Sequence, residues 1–328
     1  MWKVPFRITG SIAVVLAALS VAAWLTLVPS AQEPGYRFAT AWGGRGTGPG
    51  QFHDPTGIAV AGDEVFVADS RNGRIQVFDH DGQFRRQFGR PGKGPGELGR
   101  PMNLTIHGGE LYVPEYFNDR IQVFGLDGTP KRVIGRHGSG PGQFNAPGGV
   151  AVGPNGHLFV ADFYNHRVQE LQADGSFVRQ WGTTGRTGRR AGEFTYPTDV
   201  AVDSDGTLFV ADGYGNRIQV FDYEGHFLRK WGGPFAIGIF GPFSGWFTTV
   251  TSIALGPQGN VFAADFHNNR VQKFTSKGVF LTAFGSTGDG VRQFNHVIAV
   301  AVAENGTVFA ADFANNRIGK LRREWIPH

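Results

Sequence analysis

Apolar and polar side chains fall into short runs over most of this chain, and one representative stretch shows how they are arranged. Gly149-Val-Ala-Val152 leads into the turn Gly153-Pro-Asn-Gly156, and His157-Leu-Phe-Val-Ala161 follows. Next come a polar turn, Arg167-Val-Gln-Glu-Leu171, the turn Ala173-Asp-Gly175, and Phe177-Val-Arg-Gln-Trp181. The third and fourth runs alternate with period two, as half-buried strands do. The first two are nearly continuous small or β-branched residues, as strands covered on both faces are. Asn-Gly and Asp-Gly fall where tight hairpins need positive φ. The pattern predicts four short antiparallel strands.

The same pattern recurs. An acid, a short turn, then Arg and a β-branched residue appear as Asp69…Arg74, Glu115…Arg120, Asp162…Arg167, Asp212…Arg217, Asp265…Arg270 and Asp312…Arg317. The arginines lie 46, 47, 50, 53 and 47 residues apart. A second mark keeps the same step: Trp42-Gly43, Phe88-Gly89, Ile134-Gly135, Trp181-Gly182, Trp231-Gly232 and Phe284-Gly285. A four-stranded unit of this length is the size of a propeller blade. The last copy supplies three strands, and the fourth-strand segment Tyr36–Trp42 stands at the other end with no blade before it. Pairing the two would close the ring and remove an exposed edge. The fold expected is therefore all-β, a six-bladed β-propeller over 32–328 whose N-terminal strand completes the last blade.

These residues resemble NHL repeats, with linkers such as Gly46-Thr-Gly-Pro-Gly-Gln-Phe52 and Gly138-Ser-Gly-Pro-Gly-Gln-Phe144 similar to those of bacterial members. The resemblance implies the propeller but leaves activity open, since that family includes enzymes, RNA binders and protein-interaction modules.

The N-terminus differs. Lys3 and Arg7 precede an uncharged apolar run that, from Ile8 to Val28, is 21 residues long. As a helix it would span ~31 Å, against a hydrocarbon core of ~30 Å. Residues 1–31 are expected to be a signal anchor (a transmembrane helix), with a cleaved signal peptide as the competing reading. Either way the propeller is expected on the periplasmic or extracellular side, membrane-anchored or secreted.

Composition narrows the function classes. Glycine numbers 50 of 328 residues, without the triple period of collagen. The absence of Cys removes disulfides, thiolate metal sites and cysteine nucleophiles. With 31 Lys and Arg against 27 acids, the charge falls short of the dense positive fields of nucleic-acid binders, so no nucleic-acid partner is expected.

The repeated acids and arginines read as scaffold, since something present in every copy usually builds the ring. Function is expected where the copies differ. Two positions after each acid stand Arg71, Phe117, Tyr164, Tyr214, His267 and Ala314, a mixed aromatic and basic set suited to an amphipathic ligand or peptide if it rims one channel mouth. The blade around Tyr214 also resembles that of peptidyl-hydroxyglycine α-amidating lyases carrying a functional tyrosine, which makes Tyr214 the one catalytic candidate. The zinc histidines of those lyases have no match here: the corresponding positions hold Thr56, Met102, Gly148, Thr198, Thr251 and Ile298, and His296 lies two positions early. No metal or other cofactor is expected.

Two long links stand out. One concentrates Arg186, Arg189 and Arg190, suited to anionic headgroups or an acidic partner. The other, Pro234–Phe247, carries Phe235, Ile237, Ile239, Phe240, Phe243, Trp246 and Phe247 with no charge. It reads as a lid, a docking surface or a membrane-dipping loop. The function expected is that of an exported binding or scaffold module, engaging a protein partner or small ligand on the face bearing both insertions, or serving as a subunit of a membrane complex. The alternative is a propeller enzyme acting at the channel mouth.

Overall fold

The strands expected from the alternation form, and they assemble as six four-stranded antiparallel sheets with two short parallel ribbons in the links. The computed structural model describes residues 27–324. Blade 1 comprises Pro55–Ala61, Glu64–Asp69, Arg74–Asp79 and Phe84–Phe88. Blade 3 comprises Pro147–Val152, Leu158–Asp162, Arg167–Leu171 and Phe177–Gly182, and blade 4 Pro197–Val202, Leu208–Asp212, Arg217–Phe221 and Phe227–Trp231. Blade 5 runs from Val250–Leu255 to Phe280–Phe284. Blade 2 has the shortest inner strand, Thr105–His107. The inner strands contact their neighbours in sequence around the ring, and the last contacts the first.

Closure occurs as the orphan strand required. Tyr36–Gly43 lies antiparallel to Arg317–Arg323, with Trp42 opposite Ile318 and Tyr36 opposite Arg323. Its rings enter two inter-blade cores: Tyr36 packs on Phe262 and Phe284, and Trp42 on Phe78 and Phe309. The expected segment 1–31 falls almost wholly outside the described residues; among those described, no helix is long and apolar enough to cross a membrane.

The acid–arginine pairs sit where each second strand turns into the third. Arg167 Nε donates to Asp162 Oδ2 at 2.8 Å, and both side chains are buried. Only Nε of the guanidinium is used on the carboxylate. Its Nη2 donates instead to the carbonyls of Gly140 and Gln143, in the link that enters the blade. Gln169 Nε2 donates to that same Gln143 carbonyl, and Asp162 Oδ1 accepts the Asn145 N–H. Each pair therefore nails a Gly-rich link, with little secondary structure of its own, onto the blade it serves. The same bonds recur at Arg74, Arg120, Arg217, Arg270 and Arg317. Glu115 replaces Asp in blade 2 without losing the contact.

One glycine shows why the second mark is needed. Gly135 ends a fourth strand at φ +79°, and a Cβ there would lie 2.2 Å from the Phe144 ring. The link must fold back that closely for Phe144 to fill the space between blades.

Candidate functional site: the channel mouth

The turn from second to third strand and the link from fourth strand to next blade emerge on one face, and their backbones are tied together six times. The N–H of Arg71, Phe117, Tyr164, Tyr214, His267 and Ala314 each donates to a link carbonyl, those of His53, Gly99, Asn145, Thr195, Thr248 and Asn295. Immediately after each of those carbonyl residues, the backbone takes a positive φ, at Asp54, Arg100, Ala146, Tyr196, Thr249 and His296. That bend starts each inner strand, and it aims the next side chains at the axis.

At the axis the six inner-strand positions Thr56, Met102, Gly148, Thr198, Thr251 and Ile298 line a single cavity of about 190 Å³. None is a metal-ligating type. Thr56 and Thr198 spend their hydroxyls on carbonyls of the next blade, Pro101 at 2.7 Å and Val250 at 2.8 Å. The Thr251 hydroxyl is buried and has no hydrogen-bond partner among the described residues. Above this floor stand Tyr116, Phe163, Tyr214, Phe266 and His267.

The walls form two aromatic groups facing each other. In one, Phe163 packs against Tyr164, Tyr196 and Tyr214 at ring separations of 5.0, 4.9 and 6.2 Å. Arg100 places its guanidinium over Tyr116 and Phe117. In the other, Phe266 stacks on His296 at 4.6 Å with an interplanar angle of 23°, and His267 meets both edge-on. Burial, aided by the neighbouring His267, lowers the pKa of His296, and burial alone lowers that of His166. Both imidazoles are therefore neutral at pH 7 and add to the apolar character of the rim. Burial first, then the hydrogen bond with Tyr164, holds the Tyr116 phenol well above its usual pKa.

The residues expected at the rim separate into distinct places. Tyr214 and His267 line the cavity, whereas Phe117 and Tyr164 stand in a second tier that remains largely exposed. Arg71 pairs with Asp54 and does not line the cavity, and neither does the exposed Ala314. The inner tier comes instead one position earlier in the repeat, at Tyr116, Phe163 and Phe266, with Tyr196 and His296 beside them. Four of the six residues at that earlier position, counting Phe313, are aromatic, and this was the available signal.

Arg186, Arg189 and Arg190 are exposed on their link, while the carbonyl of Arg190 accepts a hydrogen bond from Arg217. The Pro234–Phe247 segment is two things at once. Phe247 is not a surface residue: it is fully buried against Phe274, at the position of Phe52, Phe144 and Phe194 in other links. Trp246 is half-buried, with Phe243 edge-on at 5.0 Å. Phe235 and Phe240 project outward, 80% and 65% exposed. None of the segment lines the cavity, so it is not a lid in this conformation. Among the described residues the one trio able to share a metal ion, Asp222, Glu224 and His226, is exposed on the opposite face, remote from the mouth.

Fold and repeat chemistry together define a six-bladed β-propeller. Four of its blades are NHL repeats: the NHL repeat family model matches residues 52–78, 144–171, 194–221 and 247–274, which are blades 1, 3, 4 and 5. The unmatched blades depart from the pattern, blade 2 with Leu98 and Glu115 and blade 6 with Gly319 where the others carry Gln. A stretch of 40 residues is 52% identical to "Protein brain tumor" of Drosophila melanogaster, and 39 residues are 54% identical to "B-box type zinc finger protein ncl-1" of Caenorhabditis elegans. Each stretch is 12% of this chain and only 4% and 5% of those proteins.

Solved structures share the fold at low identity. A Bacteroides thetaiotaomicron protein of unknown function superposes with TM-score 0.68 at 15% identity, over 89% of this chain and 77% of that one. The WD40 propeller domain of Doa1 gives 0.61 at 13%, over 88% and 98%. A catalytically inactive virginiamycin B lyase from Staphylococcus aureus, solved with quinupristin, gives 0.56 at 21%, over 82% and 83%.

Proposed function

We propose that this protein is an exported, membrane-tethered binding module that holds an amphipathic ligand or a peptide segment of a protein partner in its channel mouth. The observation that carries the reading is the pair of facing aromatic groups over a small cavity whose floor keeps one unpaired hydroxyl, Thr251. Large rigid rings give contact area at low entropic cost, and a few convergent polar groups set orientation. Tethering draws on the apolar run behind Lys3 and Arg7. The basic and aromatic surface here is too sparse in cations for a nucleic-acid groove.

The enzyme reading rests on Tyr214 and His267 sharing the cavity wall. The six axial positions, however, offer no metal ligands to activate either one.

The test uses the full chain in mild detergent, titrated with anilinonaphthalene sulfonate and panned against a displayed random-peptide library. The wild type is expected to bind saturably, and Phe163→Ala/Tyr214→Ala to lose that binding while still melting cooperatively. Equal binding by both proteins overturns the assignment to the mouth.

A further inference from the structure

The chain arrives at the propeller beside the apolar link. Trp246 donates its indole N–H to the Leu27 carbonyl at 2.6 Å, and Gly245 lies against Pro29. From there Gln32 bonds to Leu281 of blade 5, and the chain descends that blade's outer edge to Gly35, whose carbonyl accepts the Glu324 N–H. It then climbs back as the closing strand. Gly35 is thus at the face opposite the mouth, and Leu27 is at the mouth face.

Two further features share that face. Phe235, Ile237, Ile239 and Phe240 are all exposed on this one link, and Phe235 lines a groove with Leu27 and Pro29, while the rest of the link is anchored by Phe247 and by a hydrogen bond from Asn216 to the Gly238 carbonyl. Four outward apolar side chains on an anchored link are an unusual surface for water. Arg189 reaches to the edge of this patch, its Nε 4.0 Å from a Cβ built on Gly238. Charge is also divided between the two faces. The six links on the mouth face (44–54, 89–100, 135–146, 182–196, 232–249 and 285–296) hold nine Lys or Arg against four acids. The hairpin turns on the opposite face hold nine acids against one lysine, partly offset by outer-strand arginines such as Arg86 and Arg132.

From these we infer that the mouth face lies against an anionic phospholipid bilayer, with Phe235, Ile237, Ile239 and Phe240 inserted among the headgroups and Arg186, Arg189 and Arg190 on lipid phosphates. Apolar insertion beside basic side chains is the chemistry of interfacial membrane binding, and cations near an anionic surface strengthen it. The acidic face then points away from the bilayer. This inference rests on the tethering proposed above and adds the orientation. The mouth opens onto the headgroup layer and takes its ligand from the side.

The absence of cysteine makes the test clean, since one introduced thiol is the only labelling site. Full chains carrying Phe240→Cys or Asp205→Cys are labelled with NBD and reconstituted in vesicles containing phosphatidylglycerol with brominated acyl chains. At least twofold quenching is expected at position 240 and little at 205, and replacing Arg186, Arg189 and Arg190 with Glu is expected to weaken quenching at 240. Protein that floats with the vesicles but shows equal or no quenching at the two positions keeps the tether and overturns the orientation. Protein that does not float overturns both. Self-quenching at 240 that grows with protein density, without lipid quenching, places a second copy on the patch and also overturns the inference.

Discussion

The Tyr116 hydroxyl donates to the Tyr164 hydroxyl at 2.7 Å, which ties the rim of blade 2 to that of blade 3 directly above the channel. Neither ring lies in an inter-blade core, so the bond organises the mouth more than the fold. Tyr116→Phe keeps the ring and removes the donor. It is expected to shift stability in chemical denaturation by about 1 kcal/mol or less, while weakening mouth binding because Tyr164 loses its fixed position. A loss of several kcal/mol in the denaturation curve would show instead that the rim is part of the core.

The acid–arginine pairs divide into buried and exposed, and the two kinds should behave differently. Arg167→Ala strands the buried Asp162 carboxylate and two link carbonyls, and breaking such a pair costs about 3–5 kcal/mol. Arg71→Ala removes an exposed partner of Asp54 and is expected to cost under ~1 kcal/mol. Arg167→Lys should not restore stability, since a single ammonium cannot reach the carboxylate and both carbonyls in a planar fork. Urea unfolding of the three variants checks the ranking.

Deleting Tyr36–Gly43 takes the fourth strand from blade 6 and exposes the edge at Arg317–Arg323. It also empties the places of Tyr36 beside Phe262 and Trp42 beside Phe309. Because the ring is latched there, the loss should spread beyond one blade. The expected outcome is a broadened, lower melting transition by circular dichroism. A transition as sharp and as high as the wild type's would show that the other blades do not depend on the latch.

Much of the architecture was legible because each blade repeats the same solution. Period-two alternation, the acid-to-arginine turn and the closing glycine are dictated locally, so six copies reinforce one reading. Of the rim residues expected, Tyr214 and His267 line the cavity, and the rest of its aromatic wall comes from the position before, at Tyr116, Phe163 and Phe266. Both adjacent turn residues can face the cavity, as Phe266 and His267 do in blade 5, so spacing along the chain does not single out one position. Phe247 was grouped with the exposed loop because it ends an unbroken apolar run. Aligning Trp246-Phe247 with Gln51-Phe52 and Gln143-Phe144 would have set it apart as core. Asp199 gave no signal at all, since nothing in its neighbours marks a carboxylate that will face the channel.

That carboxylate yields the last prediction. Asp199 is buried, lines a channel cavity of about 350 Å³ below the mouth, and approaches so closely that a Cβ on Gly149 would lie 2.1 Å from it. Its oxygens accept the N–H groups of Val200 and, across the blade boundary, Ile253, each at 2.9 Å. Burial, against those hydrogen bonds and with no cation nearby, pushes its pKa up to about 7. An unfolded aspartate has a pKa of about 3.9, so between roughly pH 4 and 7 the folded state binds more protons than the unfolded one. Stability is therefore expected to fall as pH rises through that window, by up to about 1.4 kcal/mol per pH unit from this group, and to level off above it. Asp162, Asp265 and Asp312 are also raised by burial and act in the same direction, but they are unchanged in an Asp199→Asn variant. The difference between wild type and Asp199→Asn thus isolates the channel carboxyl. Measured from pH 4.5 to 8, the melting temperature of the wild type is expected to fall relative to that of Asp199→Asn as pH rises, with the change concentrated below and around pH 7. Parallel curves would mean that Asp199 titrates at its ordinary value, and that the channel around it is wetter than its packing implies.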